Sequence, residues 1–183
     1  MQEIIPSQSQ IDSLCNHLIS HDHKRFCYIA RYTGYKIKSI CALKVSDVYN
    51  VDGSPRSFIR FTNKNGDIHC SIVCSKLEEY LKVYRPKSFY LENWLFPSRI
   101  NKEFPIGVRN VNNFVRNGSI RSGLYNLNMS PSSLRKAFVK HLYESGISSE
   151  VIKQMIGIKR ESKLKTYSKL QKWNGLEILN NIF

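Results

Sequence analysis

The apolar residues of this 183-residue chain recur at helical spacing along most of its length, and in one segment the period drops to two. Phe58 to Thr62 and Asp67 to Val73 alternate around Asn63-Lys64-Asn65-Gly66. Asn-Gly is a strong short hairpin signal, because a type I′ turn needs positive φ at both central residues. The sequence predicts one β-hairpin, with Lys64 beside its tip, set into a helical chain. The fold class that follows is mainly α with a small antiparallel β-sheet (α+β). No repeat, low-complexity linker or internal boundary interrupts residues 1–183, which form a single domain by this criterion.

The helices carry local punctuation. Ser7 and Gln10 stand at capping-box spacing ahead of Ile11, Leu14, Cys15, Leu18 and Ile19, which predicts a first helix ending near Ser20. A second helix runs from His23 to Thr33, Gly34 suits its left-handed C-terminal residue, and Ile37, Ile40 and Cys41 continue a short third helix. Ser75 and Glu78 repeat the capping pattern and open a helix that Pro86 ends. A helix over 107–117 precedes a Gly/Asn-rich loop reaching Asn128. Ser130 caps the next helix, with Pro131 at its first position and Gly146 as its stop. Ser148 opens a short helix that ends at Gly157, and Trp173 to Phe183 form a terminal amphipathic helix.

The chain carries 28 Lys and Arg against 14 Asp and Glu, a net charge of +14. Charge of that size works against the compact state and is most easily understood if a polyanion is the partner, nucleic acid first and an anionic membrane surface second. Residues 121–172 hold eleven of the basic residues and three acidic ones, so the excess is local. An apolar content of 42% is enough for a core and excludes a disordered basic tail. Met1 to Gln10 has no basic stretch leading into an apolar one, and no apolar run approaches the ~20 residues of a membrane span, so the expectation is a cytoplasmic protein. The five cysteines are odd in number and predict reduced thiols, buried or half-buried. His17 and His21 are four apart but fall at a helix end, and Cys70 with Cys74 lacks a second pair, so no metal site is expected.

Several segments match a family in order and spacing. Thr33-Gly34-Tyr35-Lys36-Ile37 through Leu43-Lys44-Val45-Ser46-Asp47 resembles the first motif of the tyrosine recombinases, the phage-integrase family. There a Thr-Gly turn leads into a helix bearing a catalytic Arg. Met129-Ser130-Pro131-Ser132-Ser133-Leu134-Arg135 resembles the second motif, His-x-x-Arg after a Pro. Ile156-Gly157-Ile158, with Tyr167 nine residues further on, resembles the Leu-Gly-His turn and its downstream nucleophile. The resemblance covers about residues 10 to 175.

It implies a tyrosine-recombinase catalytic-domain fold and a metal-free, cofactor-free transfer in which a Tyr hydroxyl attacks the scissile phosphate of duplex DNA. Such attack builds charge on the non-bridging oxygens, which paired guanidinium groups can clamp. The leaving 5′-oxygen needs a proton donor. By position, Tyr167 corresponds to the nucleophile, Arg135 to the second-motif clamp and Lys64 to the hairpin acid. Three positions are substituted: Lys36 stands for the first-motif Arg, Ser132 for the second-motif His and Ile158 for the third-motif His or Trp. Lys lacks the planar fork, Ser titrates far from neutral pH, and Ile does neither job. Lys136, Lys140, Lys159, Arg160, Lys163 and Lys165 are the expected DNA-binding cations.

The function expected is a duplex-DNA-binding protein with a degenerate active site that acts in or regulates recombination. The alternative is an active small recombinase or invertase that cleaves through Tyr167, and a third class is a basic domain for RNA or anionic lipid. Like the family's small invertases, the chain carries only a short helix ahead of the first motif. Its terminal helix, residues 173–183, resembles the segment that family members dock into a neighbouring subunit, which implies a homo-oligomer.

Overall fold

The computed structural model describes residues 5–62, 66 and 68–157. The first helix, α1 (Gln8–His17), starts at Ser7, whose hydroxyl and the Gln10 side chain form the reciprocal cap, with Ser7 N–H donating to Gln10 Oε1 at 2.8 Å. It stops at His17 instead of continuing to Ser20. Leu18 turns extended and tucks in, 3% exposed, against α6 (Val108–Arg121), where a Cβ on Gly118 would lie 2.7 Å from Leu18 Cδ2. Ile19, next in the periodic run, is 76% exposed. Ser20 then serves as N-cap of α2 (His21–Thr33), which starts two residues earlier than the apolar pattern indicates.

Helix α2 is the central element. Residues from Arg25 to Arg31 are all buried, so neighbours enclose it on every side. Around it pack α1, the short α3 (Ile37–Cys41), α5 (Ser75–Val83) and α7 (Pro131–Glu144). Stacked rings bind α2 to α5, Tyr28 lying 3.6 Å from Tyr80 at 7°. A four-residue helix, α4 (Val45–Val48), leads into the hairpin; Lys44 N–H donates to Asp47 Oδ2 at 2.9 Å and fixes its start.

Strands β1 (Phe58–Thr62) and β2 (Ile68–Ile72) pair antiparallel in the register Phe58↔Ile72 to Thr62↔Ile68. Ile59 and Phe61 enter the core, at 0% and 1% exposure, while Phe58, Cys70 and Ile72 face outward. Cys70 and Cys74 are therefore exposed thiols, contrary to the expectation for all five; Cys15, Cys27 and Cys41 are buried as expected. Pleat alternation puts Cys70 on the outer face, and Cys74 is the N-cap of α5, a position the sequence assigns to Ser75. Helix α6 runs on to Arg121, four residues past its predicted end, because Gly118 and Ser119 are buried and Ser122 N–H bonds back to Gly118 O at 3.0 Å. A single 3₁₀ turn, Tyr125–Leu127, replaces part of the expected loop.

Helix α8 (Ser149–Ile156) has its predicted cap, Ser148, and ends at Gly157 in the left-handed region. With α7 it forms a small satellite core of Phe138, Val139, Ile152 and Ile156 beside the main one. The architecture is mainly α with a two-stranded antiparallel sheet. Among the described residues no helix is long and apolar enough to cross a membrane.

Candidate functional site

Two turns and a helix from distant parts of the chain meet where α2 ends. Gly34 closes α2 at φ 60°, ψ 16°, its N–H bonded to Ala30 O at 3.0 Å. A Cβ there would sit 2.3 Å from Phe138 Cδ1 and 3.0 Å from Ile156 Cγ2, so the turn is wedged between α7 and α8. Both the positive φ and the contact demand glycine. Thr33 is fully buried; its hydroxyl donates to Ile29 O at 2.7 Å and accepts from Tyr35 N–H at 3.4 Å. Tyr35 lays its ring flat on Phe61 of β1, with centroids 3.6 Å apart and planes 9° from parallel. The helix break and the hairpin are thereby one unit.

Arg135 stands in the first half of α7, on a helix whose start is fixed by Pro131 and by the Ser133 hydroxyl, which accepts from Ser130 N–H at 3.1 Å. It is only 7% exposed. Its Nη2 donates to Ile156 O, the last carbonyl of α8, at 3.2 Å, while Nε and Nη1 are buried without a partner. A guanidinium in such surroundings loses hydration that nothing in the protein replaces. The fork geometry suits an oxyanion with two oxygens to offer.

The Tyr35 hydroxyl is a second buried donor with no partner. Burial pushes its pKa up to about 12; Cys70 adds to the rise and Arg135 opposes it. The phenol is protonated at neutral pH. Gly157, at φ 64°, completes the cluster: a Cβ there would be 3.9 Å from Tyr35 Cε1.

The structure thus gathers Gly34, Tyr35, Arg135, Ile156 and Gly157. Lys36, the residue after Tyr35, is exposed and is the N-cap of α3. Ser132 is exposed as well, and its hydroxyl lies 2.7 Å from that of Ser130, so it is engaged at the start of α7. Lys136 and Lys140 are half-buried on α7, and Lys140 pairs with Glu144 at 2.6 Å, which offsets its charge. Lys64, Ile158, Lys159, Arg160, Lys163, Lys165 and Tyr167 lie outside the described residues, as does the segment 173–183. Among the described residues no three His, Cys, Asp or Glu side chains gather as a metal site would require. Nothing in the sequence sets Tyr35 apart from the other nine tyrosines except its place between Gly34 and Lys36 at a helix break.

The phage integrase family model matches residues 7–173, nearly the whole chain. The chain belongs to that family. Among characterised members it is similar to the tyrosine recombinase XerA of Pyrococcus horikoshii, 27% identical over 142 residues that cover 75% of this chain and 46% of that protein. A crystal structure of XerA recombinase shares the fold at a TM-score of 0.79 and 19% identity, over 98% of this chain and 62% of that one. The XerH site-specific recombinase bound to its palindromic difH substrate, in a post-cleavage complex, shares it at 0.73 and 15% identity, over 94% and 51%. A lambda integrase dimer bound to a COC′ core site follows at 0.67 and 16%, over 92% and 49%. The chain spans less than two thirds of the length of each of these family members.

Proposed function

We propose that this chain binds duplex DNA through its integrase-family fold, holds a backbone phosphate at Arg135 and cleaves weakly or not at all, serving recombination as an accessory or regulatory factor. The observation that carries this is the buried Arg135 guanidinium with two unpartnered nitrogens, at the meeting point of three family motifs. Family relatives solved with DNA support the choice of partner, and the net charge of +14 supplies its electrostatics.

The weak or absent cleavage follows from chemistry. Bidentate Arg pairs stabilise the charge that grows on the phosphate in the transition state, and one donor lost from such a site typically costs about 100- to 1,000-fold in rate. Lys36 keeps a charge without the fork, and the Ser132 hydroxyl is already engaged by Ser130. Ile158 brings no donor. A second copy of this chain, docked through residues 173–183, is the further partner in this proposal, and the whole acts as one domain over residues 1–183 in the cytoplasm.

The test has two arms. In a salt titration on labelled duplex DNA, RNA and anionic vesicles, duplex should be preferred and its affinity should fall steeply as salt rises. Equal binding to all three overturns the proposal. Suicide DNA substrates resolved on denaturing gels read cleavage directly. The retained Arg135 and the nine-residue offset of Tyr167 favour a second outcome, an active recombinase. A covalent adduct that vanishes in Tyr167→Phe would establish that activity and remove the degenerate reading.

A further inference from the structure

Buried tyrosine hydroxyls in folded proteins find hydrogen-bond partners, since leaving one unmade costs more than a phenylalanine in the same place. Tyr49 follows that rule: fully buried, it donates to Leu81 O at 3.0 Å. Tyr35 breaks it. The residue is 4% exposed, and its hydroxyl is buried with nothing to bond. Phenylalanine would stack on Phe61 equally well and leave no orphan, so packing does not explain the oxygen.

The neighbours of that oxygen do. Arg135 and Tyr35 lean on the same turn, Arg135 through Nη2 to Ile156 O and Tyr35 through its ring edge beside Gly157. Each carries donors without acceptors, and the two groups are within electrostatic reach of each other. Two unmatched donors that converge on one turn describe a site for an anion offering several oxygens. The ring is held flat against Phe61, so its hydroxyl is already in place before a ligand arrives.

We propose that the Tyr35 hydroxyl is a phosphate-binding group that donates to a non-bridging oxygen of the DNA phosphate held by Arg135. It supplies from the first motif a neutral donor of the kind that Ser132 and Ile158 do not bring from the second and third. No covalent step is involved: the hydroxyl keeps its proton and the phosphate keeps its bonds. The inference rests on the proposal that Arg135 holds a DNA phosphate.

Tyr35→Phe and Arg135→Ala, alone and together, separate the two ideas. The readouts are the dissociation constant for a labelled duplex oligonucleotide at fixed low salt and the thermal midpoint of the free protein. Tyr35→Phe should weaken binding by about three- to tenfold, the worth of one hydrogen bond, with the thermal midpoint unchanged or raised. The double variant should bind no more weakly than Arg135→Ala, because the hydroxyl acts on the phosphate that Arg135 holds. If Tyr35→Phe binds like wild type while Arg135→Ala loses affinity, the role of Tyr35 is refuted and the site stands. If neither change alters binding, the site itself fails. A drop in thermal midpoint in Tyr35→Phe also overturns the inference, since the hydroxyl would then be holding the fold.

Discussion

Three arginines are buried among the described residues, Arg25, Arg31 and Arg135, and the first and last of them, one near each end of α2, are treated differently. Arg25, in the second turn of α2, is 1% exposed and has three acceptors on its two terminal nitrogens, with only Nε buried and unpartnered. Its Nη1 donates to Tyr84 O, its Nη2 to Asp22 Oδ1 at 2.5 Å and to Leu95 O at 3.3 Å, and its guanidinium sits 5.4 Å from the centre of the Phe96 ring. Arg135, at the other end, has one acceptor and two nitrogens without any. Burial alone does not distinguish structure from function; the state of the partners does. A guanidinium surrounded by its own protein's oxygens ties loops together, as Arg25 ties 84 and 95 to α2. One left short of oxygens is set up to take them from a ligand.

The comparison predicts opposite outcomes for one substitution at two sites. Arg25→Met should destabilise the protein by about 3 kcal/mol or more, because two buried carbonyls lose their donor. Per folded molecule, its duplex affinity should be unchanged. Arg135→Met should bind duplex roughly 10- to 100-fold more weakly, the worth of a charge-assisted pair, with a much smaller change in stability. Urea unfolding alongside fluorescence anisotropy measures both. If Arg25→Met loses affinity without losing stability, or Arg135→Met does the reverse, the distinction between the two sites breaks.

Gly34 sharpens it, because this residue belongs to both structure and site. Gly34→Ala puts a side chain where φ is 60° and where Phe138 Cδ1 is 2.3 Å away. The left-handed backbone costs roughly 1–2 kcal/mol for a residue with a Cβ, and displacing Phe138 adds about 1 kcal/mol or more. Stability should fall by about 2–3 kcal/mol in total, and duplex affinity should fall with it, since the turn that carries Tyr35 has to shift. Unchanged affinity in the folded fraction would show that the turn does not position the site.

Much of the frame was legible because its signals are local. Gly34 after an amphipathic helix, Ser130-Pro131 before another and Ser148 before a third each act on their own neighbours, and the structure has all three boundaries there. The alternation on either side of residues 63–66 is local in the same way, and the structure has the two paired strands there, with Ile59 and Phe61 turned inward. What was not legible depends on contacts across the chain. The period through Leu18 and Ile19 says helix, yet Leu18 leaves it to fill the space beside Gly118, a residue far along the chain that no local signal connects to it. The sequence marked Arg135 as a cation at a motif position but held no sign that two of its nitrogens would be buried and bare. Tyr35 was hidden more deeply, because the missing partner of a hydroxyl is a property of everything folded around it.

The smallest expected effect lies at the structural end of α2, where His23 stacks on Phe114 with centroids 4.0 Å apart and planes 11° from parallel. Burial lowers its pKa, Arg99 lowers it further and Asp22 opposes them. The folded state therefore binds the proton less readily than the unfolded chain, whose imidazole titrates near 6.5. The sign follows: this contribution to stability is complete above that value and is lost as pH falls through it toward the folded pKa. Thermal unfolding of wild type and His23→Phe between pH 8 and pH 5 measures the effect as a difference, which cancels the other titrating groups. Wild type should lose more stability than the variant on acidification. Duplex affinity, compared between the two proteins at each pH, should show no such difference, because His23 sits at the end of α2 remote from Arg135 and Tyr35. A His23-dependent change in binding would mean that the two ends of the helix are coupled.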